Sequence, residues 1–249
     1  MARLNYLDNL KVVLTFLVIF HHAGQAYGDG GEWGYTPSNP AEVMPWIWHF
    51  FSTNAAFFMG LYFFISGYFV PGSYFIRQVS PQDNWIGLSV WIFEPAHYLQ
   101  YVMMFVLGIL AYRFCWLDKM TNKTGVIALS IGALLAIGNY VRQDGAWNDF
   151  VWRWFGIYES LMCVFICFGL LWLFREKVNM GNKALSWLSA QSYGAYIFHL
   201  PLMICIQNVF DGVWMGAFGK FMFIGVVTTI LSYTLTWLLR LLPGVKRII

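Results

Sequence analysis

Residues 5–28 read NYLDNLKVVLTFLVIFHHAGQAYG, and the spacing of the polar residues within this stretch decides how the rest of the chain is understood. Its apolar run over 10–27 approaches the roughly 20 residues that a helix needs to cross about 30 Å of hydrocarbon. Asp8, Lys11, His21 and His22 flank or interrupt that run, and ionisable groups there are costly enough to be functional candidates. On a helix advancing about 100° per residue, Lys11 to His22 falls about 20° past three turns and Asp8 to His22 about 40° short of four, so the three share one face. His22 lies about 16 Å beyond Lys11 along the axis. His21 is turned about 100° from its neighbour and faces another helix or lipid headgroups. A second reading stands beside the functional one: solvated flanking charges at Asp8 and Lys11, with the histidines as interfacial anchors.

The 249 residues are 59% hydrophobic and 20% aromatic but only 11% charged. A soluble domain carries about 25% charged residues, so this chain cannot coat itself in water, and disorder is excluded for the same reason. A net charge of +3 is too small for a nucleic-acid footprint. The four cysteines, Cys115, Cys163, Cys167 and Cys205, lie in or beside apolar runs, which reads as packing rather than as a disulfide framework or a metal site. No glycine-rich phosphate loop, HExxH, paired-cysteine motif or Gly-x-Ser-x-Gly occurs. The hydropathy shows no duplicated halves of the kind that build many transporters.

Runs long enough to span a bilayer fall at about seven places, over 10–27, 51–70, 98–114, 125–141, 154–174, 192–209 and 218–241. Without the alternating pattern of barrel strands they predict an all-α, polytopic transmembrane helical bundle. The first run is a retained helix rather than a cleaved leader, because Asp8 and the histidine pair suit a leader poorly. Trp46, Trp48, Trp116, Trp154, Trp172, Trp187 and Trp214 fall near the run ends, as an interfacial belt would.

Simple alternation of seven helices from a cytoplasmic N-terminus puts the basic clusters Arg113/Lys119/Lys123, Arg175/Lys177/Lys183 and Arg240/Lys246/Arg247 outside, against the positive-inside rule. If the chain instead re-emerges outside between Gly72 and His97, those residues join Arg3 and Lys11 inside, leaving Arg142, Arg153 and Lys220 outside. Residues 73–97 contain no apolar run of spanning length, so the crossing calls for a short helix from about Trp85 to Phe93 or a re-entrant piece, or else leaves a frustrated bundle in which one span fails to insert. Both termini are then cytoplasmic.

A neutral imidazole can accept a proton from a hydroxyl and later return it, which suits His22 to general-base work. Glu159, five residues into its helix, either lines the same outer cavity or reaches water, with water favoured. Ser192, Tyr196 and His199 form one polar stripe, a pattern that more often cements helices than catalyses. His49 and His97 sit at run edges and read as interfacial. The triplet Asn122-Lys-Thr124 falls in a loop assigned to the cytoplasm and is set aside as a glycosylation site.

The opening helix resembles that of the acyltransferase 3 family of integral membrane proteins, especially its glucan-modifying succinyltransferase-like branch. FFMGLYFFISGYFVPGSY (57–74) is similar to that family's second helix, QYVMMFVLGILAYRFCWLDK (100–119) to its sixth, LSAQSYGAYIFHLPLM (188–203) to its ninth, and LRLLPGVKRII (239–249) to its basic ending. The family signature is a basic residue, ten intervening residues and a histidine, which Lys11 and His22 match, with Lys where Arg is commoner. Lys supplies a point charge without Arg's planar fork. The resemblance implies a single membrane-embedded domain over 1–249. It also implies transfer of an acetyl- or succinyl-type group from a cytoplasmic thioester such as acyl-CoA to a hydroxyl of an extracytoplasmic carbohydrate or glycan.

On this resemblance His22 is the catalytic or substrate-activating residue with Lys11 as its charged companion. Asp8, on the same face, is counted with them as catalytic from the spacing alone, and His21 and Glu159 are candidate substrate-binding residues on their positions in the helices. No tightly bound cofactor and no metal are implied, and the location is the plasma (inner) membrane. After residue 74 the sequence FIRQVSPQDNWIGLSVWIFEPAH (75–97) resembles the family's exit from its fifth helix. About three spans, roughly 60–100 residues, are thus expected to be missing near 74–77. The alternative reading is a non-enzymatic membrane protein, either a small-molecule transporter or an inactive shortened relic.

Overall fold

The computed structural model describes residues 4–28, 34–67, 86–88, 91–93, 105–106, 110–111, 113–141 and 153–245. Most of the expected run over 98–114, the junction at 74–77, His97 and Arg142 lie outside the described residues. Six long helices are described: α1 (Asn5–Gln25), α2 (Trp48–Gly67), α3 (Asn122–Tyr140), α4 (Phe155–Lys177), α5 (Lys183–Val209) and α6 (Ala217–Leu239). Among the described residues, three helices are long and apolar enough to cross a membrane: α3, α4 over Gly156–Lys177, and α6. In α1 and α5 the apolar run is diluted by polar residues turned inward, among them Asn9, Thr15 and His21 on α1 and Gln191, Ser192, His199 and Gln207 on α5.

The expectation of a short helix at 85–93 is overturned. Ile86–Leu88 (β1) pairs antiparallel with Trp91–Phe93 (β2), in the register Ile86↔Phe93, Gly87↔Ile92 and Leu88↔Trp91. β-Branched and aromatic residues such as Ile86, Trp91, Ile92 and Phe93 suit a pleated pair better than a short helix. Among the described residues the architecture is therefore helical with one two-stranded antiparallel pair.

The chain forms two compact units, 1–54 with 178–249, and 55–177. In the second, α3 packs against α4. A Cβ on Gly169 would lie 2.6 Å from the Leu129 Cα, so only glycine lets these backbones come so close. Thr121 caps α3 and exchanges hydrogen bonds with Thr124 in a capping box, so the triplet at 122–124 is a helix start. Trp172, near the C-terminal end of α4, is buried and donates from Nε1 to Asn122 Oδ1 at the start of α3 at 3.0 Å. Arg175 donates to the carbonyls of Leu117 and of Met120, the latter at 2.8 Å. The basic connection at 113–123 and the basic end of α4 thus share one end of this pair. Cys163 and Cys167 are buried with sulfurs 3.9 Å apart, and Cys167 Sγ lies 3.9 Å from the Phe57 carbonyl oxygen.

In the first unit α1, α5 and α6 pack on one another. Asn182 caps α5 by accepting from the Leu185 amide at 2.7 Å. A Cβ on Gly194 would meet Thr236 Cγ2 at 2.3 Å, so glycine sets the α5–α6 approach. The apolar core runs through Ile19, Ala23, Tyr27, Ala195, Met203, Phe221 and Ile224.

Candidate functional site

The polar face of α1 is ordered along its length by α5 and α6. At its N-terminal end Asp8 pairs with Lys11 at 2.9 Å and accepts from Ser189 Oγ of α5 at 2.8 Å. The pair is partly exposed. Asp8 also lies in the first turn, where a carboxylate suits the positive end of the helix dipole. Asn9 donates to the carbonyls of Val178 and Met180 at 2.6 and 3.0 Å, tying the start of α1 to the segment that leads into α5.

Further along, Thr15 Oγ1 donates to the Lys11 carbonyl at 2.8 Å. Ser192 Oγ and Tyr233 OH share a hydrogen bond of 3.1 Å, and the Tyr233 ring packs on Phe16 at 5.7 Å. Hydroxyls therefore continue the polar face between the charged end and the histidines.

Both Asp8 and His22 meet α5, Asp8 through Ser189 and His22 through His199. The shared helix face expected from the spacing is present. The His22 and His199 rings are centred 5.3 Å apart at 33°. His22 Nδ1 is 2.6 Å from Gln25 Oε1, and an amide oxygen can only accept, so the hydrogen of the neutral ring sits on Nδ1 and Nε2 carries a lone pair. His199 Nδ1 is 2.5 Å from the Tyr196 carbonyl oxygen, which fixes the same tautomer. His199 is 1% exposed, and its Nε2 is buried without a hydrogen-bond partner. His21 points away from this pair toward α2, its ring 5.3 Å from Phe51.

Past the C-terminal end of α1, the segment at 34–47 is held down by ionic contacts. Lys220 of α6, 0% exposed, bonds Glu42, 1% exposed, at 2.7 Å. The same ammonium donates to the Asp211 carbonyl at 2.7 Å. The Asp211 carboxylate accepts from the Ser38 hydroxyl, the Tyr35 hydroxyl and the Ser38 amide, the last at 3.1 Å. These bonds, that of the Ser38 hydroxyl first and that of Tyr35 next, hold the Asp211 carboxyl down to about 2.

The structure thus brings Asp8, Lys11 and His22 onto one face and leaves His21 on another. Glu159 belongs to the other unit and is buried at 5% exposure, not open to water as favoured from sequence. Sequence reasoning gave His199 a cementing role and passed over Gln25, Glu42 and Lys220. The stripe of Ser192, Tyr196 and His199 was a visible signal for His199. The Lys220–Glu42 pair had none, since its partners are 178 residues apart.

The sequence pattern of an acyltransferase domain, that of the acyltransferase 3 family, matches residues 4–82 and 79–237. No curated protein and no solved structure matches the chain.

Proposed function

Because the chain belongs to the acyltransferase 3 domain family and is a membrane acyltransferase, we propose that it moves an acetyl- or succinyl-type group from a cytoplasmic acyl thioester to a hydroxyl of an extracytoplasmic carbohydrate. The observation that carries this reading is His22, set in the α1–α5 contact with its Nδ1 2.6 Å from Gln25 Oε1, which puts the ring hydrogen on Nδ1 and makes Nε2 the basic nitrogen. Nε2 takes the hydroxyl proton as the oxygen attacks the thioester carbonyl. The C–S bond breaks, the ester forms, and the proton passes from Nε2 to the departing sulfur. Lys11 and Asp8, about 16 and 21 Å back along the helix, stand toward the donor, where the Lys11 ammonium meets an anionic group of acyl-CoA.

In this reading the enzyme lies in the plasma membrane with both termini cytoplasmic and binds no resident cofactor. The buried Lys220 is neutralised by Glu42, which leaves Arg142 and Arg153 as the outer basic residues and strengthens the charge asymmetry behind that orientation. The family pattern matches in two pieces that meet at 79–82, which supports a family member shortened near 74–77, in the glucan-modifying branch.

The test uses the chain in membrane vesicles, with radiolabelled acetyl-CoA as donor and methyl glucoside as acceptor. His22→Ala lowers kcat/KM by about 10²–10⁴-fold, whereas His21→Ala retains most of the activity. Equal losses in the two variants, or an active His22→Ala, would remove His22 as the base.

A further inference from the structure

The segment at 34–47 is fastened at two places that differ in kind. Its second half is anchored in the core: Glu42 pairs with Lys220 where both are buried, the Met44 amide donates to the Tyr27 carbonyl at 2.6 Å, and Met44 and Ile47 join the apolar core. Its first half is tied through the Asp211 carboxylate, which accepts from the Tyr35 hydroxyl, the Ser38 hydroxyl and the Ser38 amide. Ser38 and its neighbours to Ala41 are exposed, and Asp211 is half-buried. Water competes for hydrogen bonds at such a surface, whereas a buried ion pair resists being parted. The first half therefore opens before the second, because local opening starts where exposed hydrogen bonds hold the backbone. Lys220 also holds the Asp211 carbonyl at 2.7 Å, so the carboxylate stays in place when the segment leaves it.

Beneath the first half lies the α1–α5 contact. Tyr35 is buried with its ring 6.3 Å from that of Tyr27, five residues past His22. Gly34 lies so close to α5 that a Cβ there would be 2.8 Å from Ile204 Cδ1, five residues past His199. The segment thus bridges the two helices about 7.5 Å beyond the contact of the His22 and His199 rings, the rise of five helical residues. We infer that residues 34–39 are a lid across the outer end of this contact, latched by Asp211 and hinged where Glu42 meets Lys220, and that it lifts to admit the acceptor carbohydrate to His22. This rests on the acyl-transfer reading of His22.

A closed lid shuts out water, which would otherwise take the acyl group, and the apparent affinity for the acceptor falls in proportion to the open fraction. The donor arrives at the Lys11 end and does not pass it. The imprint of the lid is therefore on the acceptor KM, with the KM for acetyl-CoA untouched. The same vesicle assay tests this in a background where the exposed Cys115 and Cys205 are changed to serine. Ser38→Cys with Asp211→Cys sets two thiols across the latch, and a membrane-permeant bis-methanethiosulfonate reagent joins them. Once they are joined the lid cannot lift: transfer to methyl glucoside falls about tenfold or more, binding of radiolabelled acetyl-CoA is unchanged, and reduction of the link restores transfer. Either single cysteine variant is indifferent to the reagent. Ser38→Ala covers a loss of folding in the double variant, because Ser38 is exposed. It removes one latch bond, raises the open fraction and lowers the KM for methyl glucoside about 3- to 10-fold.

Full transfer by the joined double variant would overturn the lid and leave acyl transfer standing. Loss of acetyl-CoA binding together with transfer would make the link a distortion of the fold, and an acceptor KM unchanged or raised in Ser38→Ala would make the Asp211 bonds purely structural; each result overturns the lid as well. Wild-type vesicles that transfer no acetyl group would overturn the acyl-transfer reading, and this inference with it.

Discussion

Lys220 and Glu42 are 0% and 1% exposed and 2.7 Å apart, so truncating either one strands the other's charge. Breaking such a buried pair costs about 3–5 kcal/mol, mostly the desolvation of the abandoned group rather than lost attraction. Lys220→Met leaves the Glu42 carboxylate with no cation and removes the donor to the Asp211 carbonyl. Glu42→Gln leaves the ammonium with that carbonyl and an amide oxygen, and so falls at the lower end of the range. The double variant buries no charge, and its cost is smaller than that of Lys220→Met alone. The remaining deficit reports the orphaned Asp211 carbonyl, about 1–3 kcal/mol. Reversible unfolding of detergent-solubilised protein with SDS gives all three differences and closes a double-mutant cycle. Single losses below about 1 kcal/mol, the range of exposed ion pairs, would show the pair to be solvated. Strictly additive losses would show that the residues do not interact. Either result would refute the view that this pair pins the segment at 34–47 over the end of α6.

Two further outcomes follow from the charged groups at either end of α1. The Asp211 carboxyl is held down to about 2 by Ser38 and Tyr35, so its contribution is present above its unfolded value near 4, is lost as pH falls from about 4 toward 2, and makes proteolytic cleavage within 34–47 rise over that window; Asp211→Asn removes the pH step. Lys11→Arg preserves donor use whereas Lys11→Met raises the KM for acetyl-CoA or lowers kcat, because the charge and not only its pairing with Asp8 is required; steady-state kinetics indifferent to Met would make Lys11 a flanking charge.

Composition and run length were enough to place the chain among helical membrane proteins, because 11% charged residues cannot solvate a surface. They also located α3, α4 and α6 to within a few residues. The 3.6-residue repeat put Asp8, Lys11 and His22 on one face, since that depends only on local geometry. What that face meets depends on α5, far along the chain, and no local rule brings His199 beside His22 or leaves its Nε2 without a donor. Lys220 counted as an outer loop charge until α6 was seen to fold it onto Glu42. The sequence left Trp172 without a partner to name, and α3 supplies Asn122. Residues 86–88 and 91–93 could have belonged to a short helix, and strand pairing decided otherwise. Hydropathy and periodicity are properties of a residue and its near neighbours and can be read along the chain, whereas hydrogen-bond partners and buried charges are fixed by which helices touch.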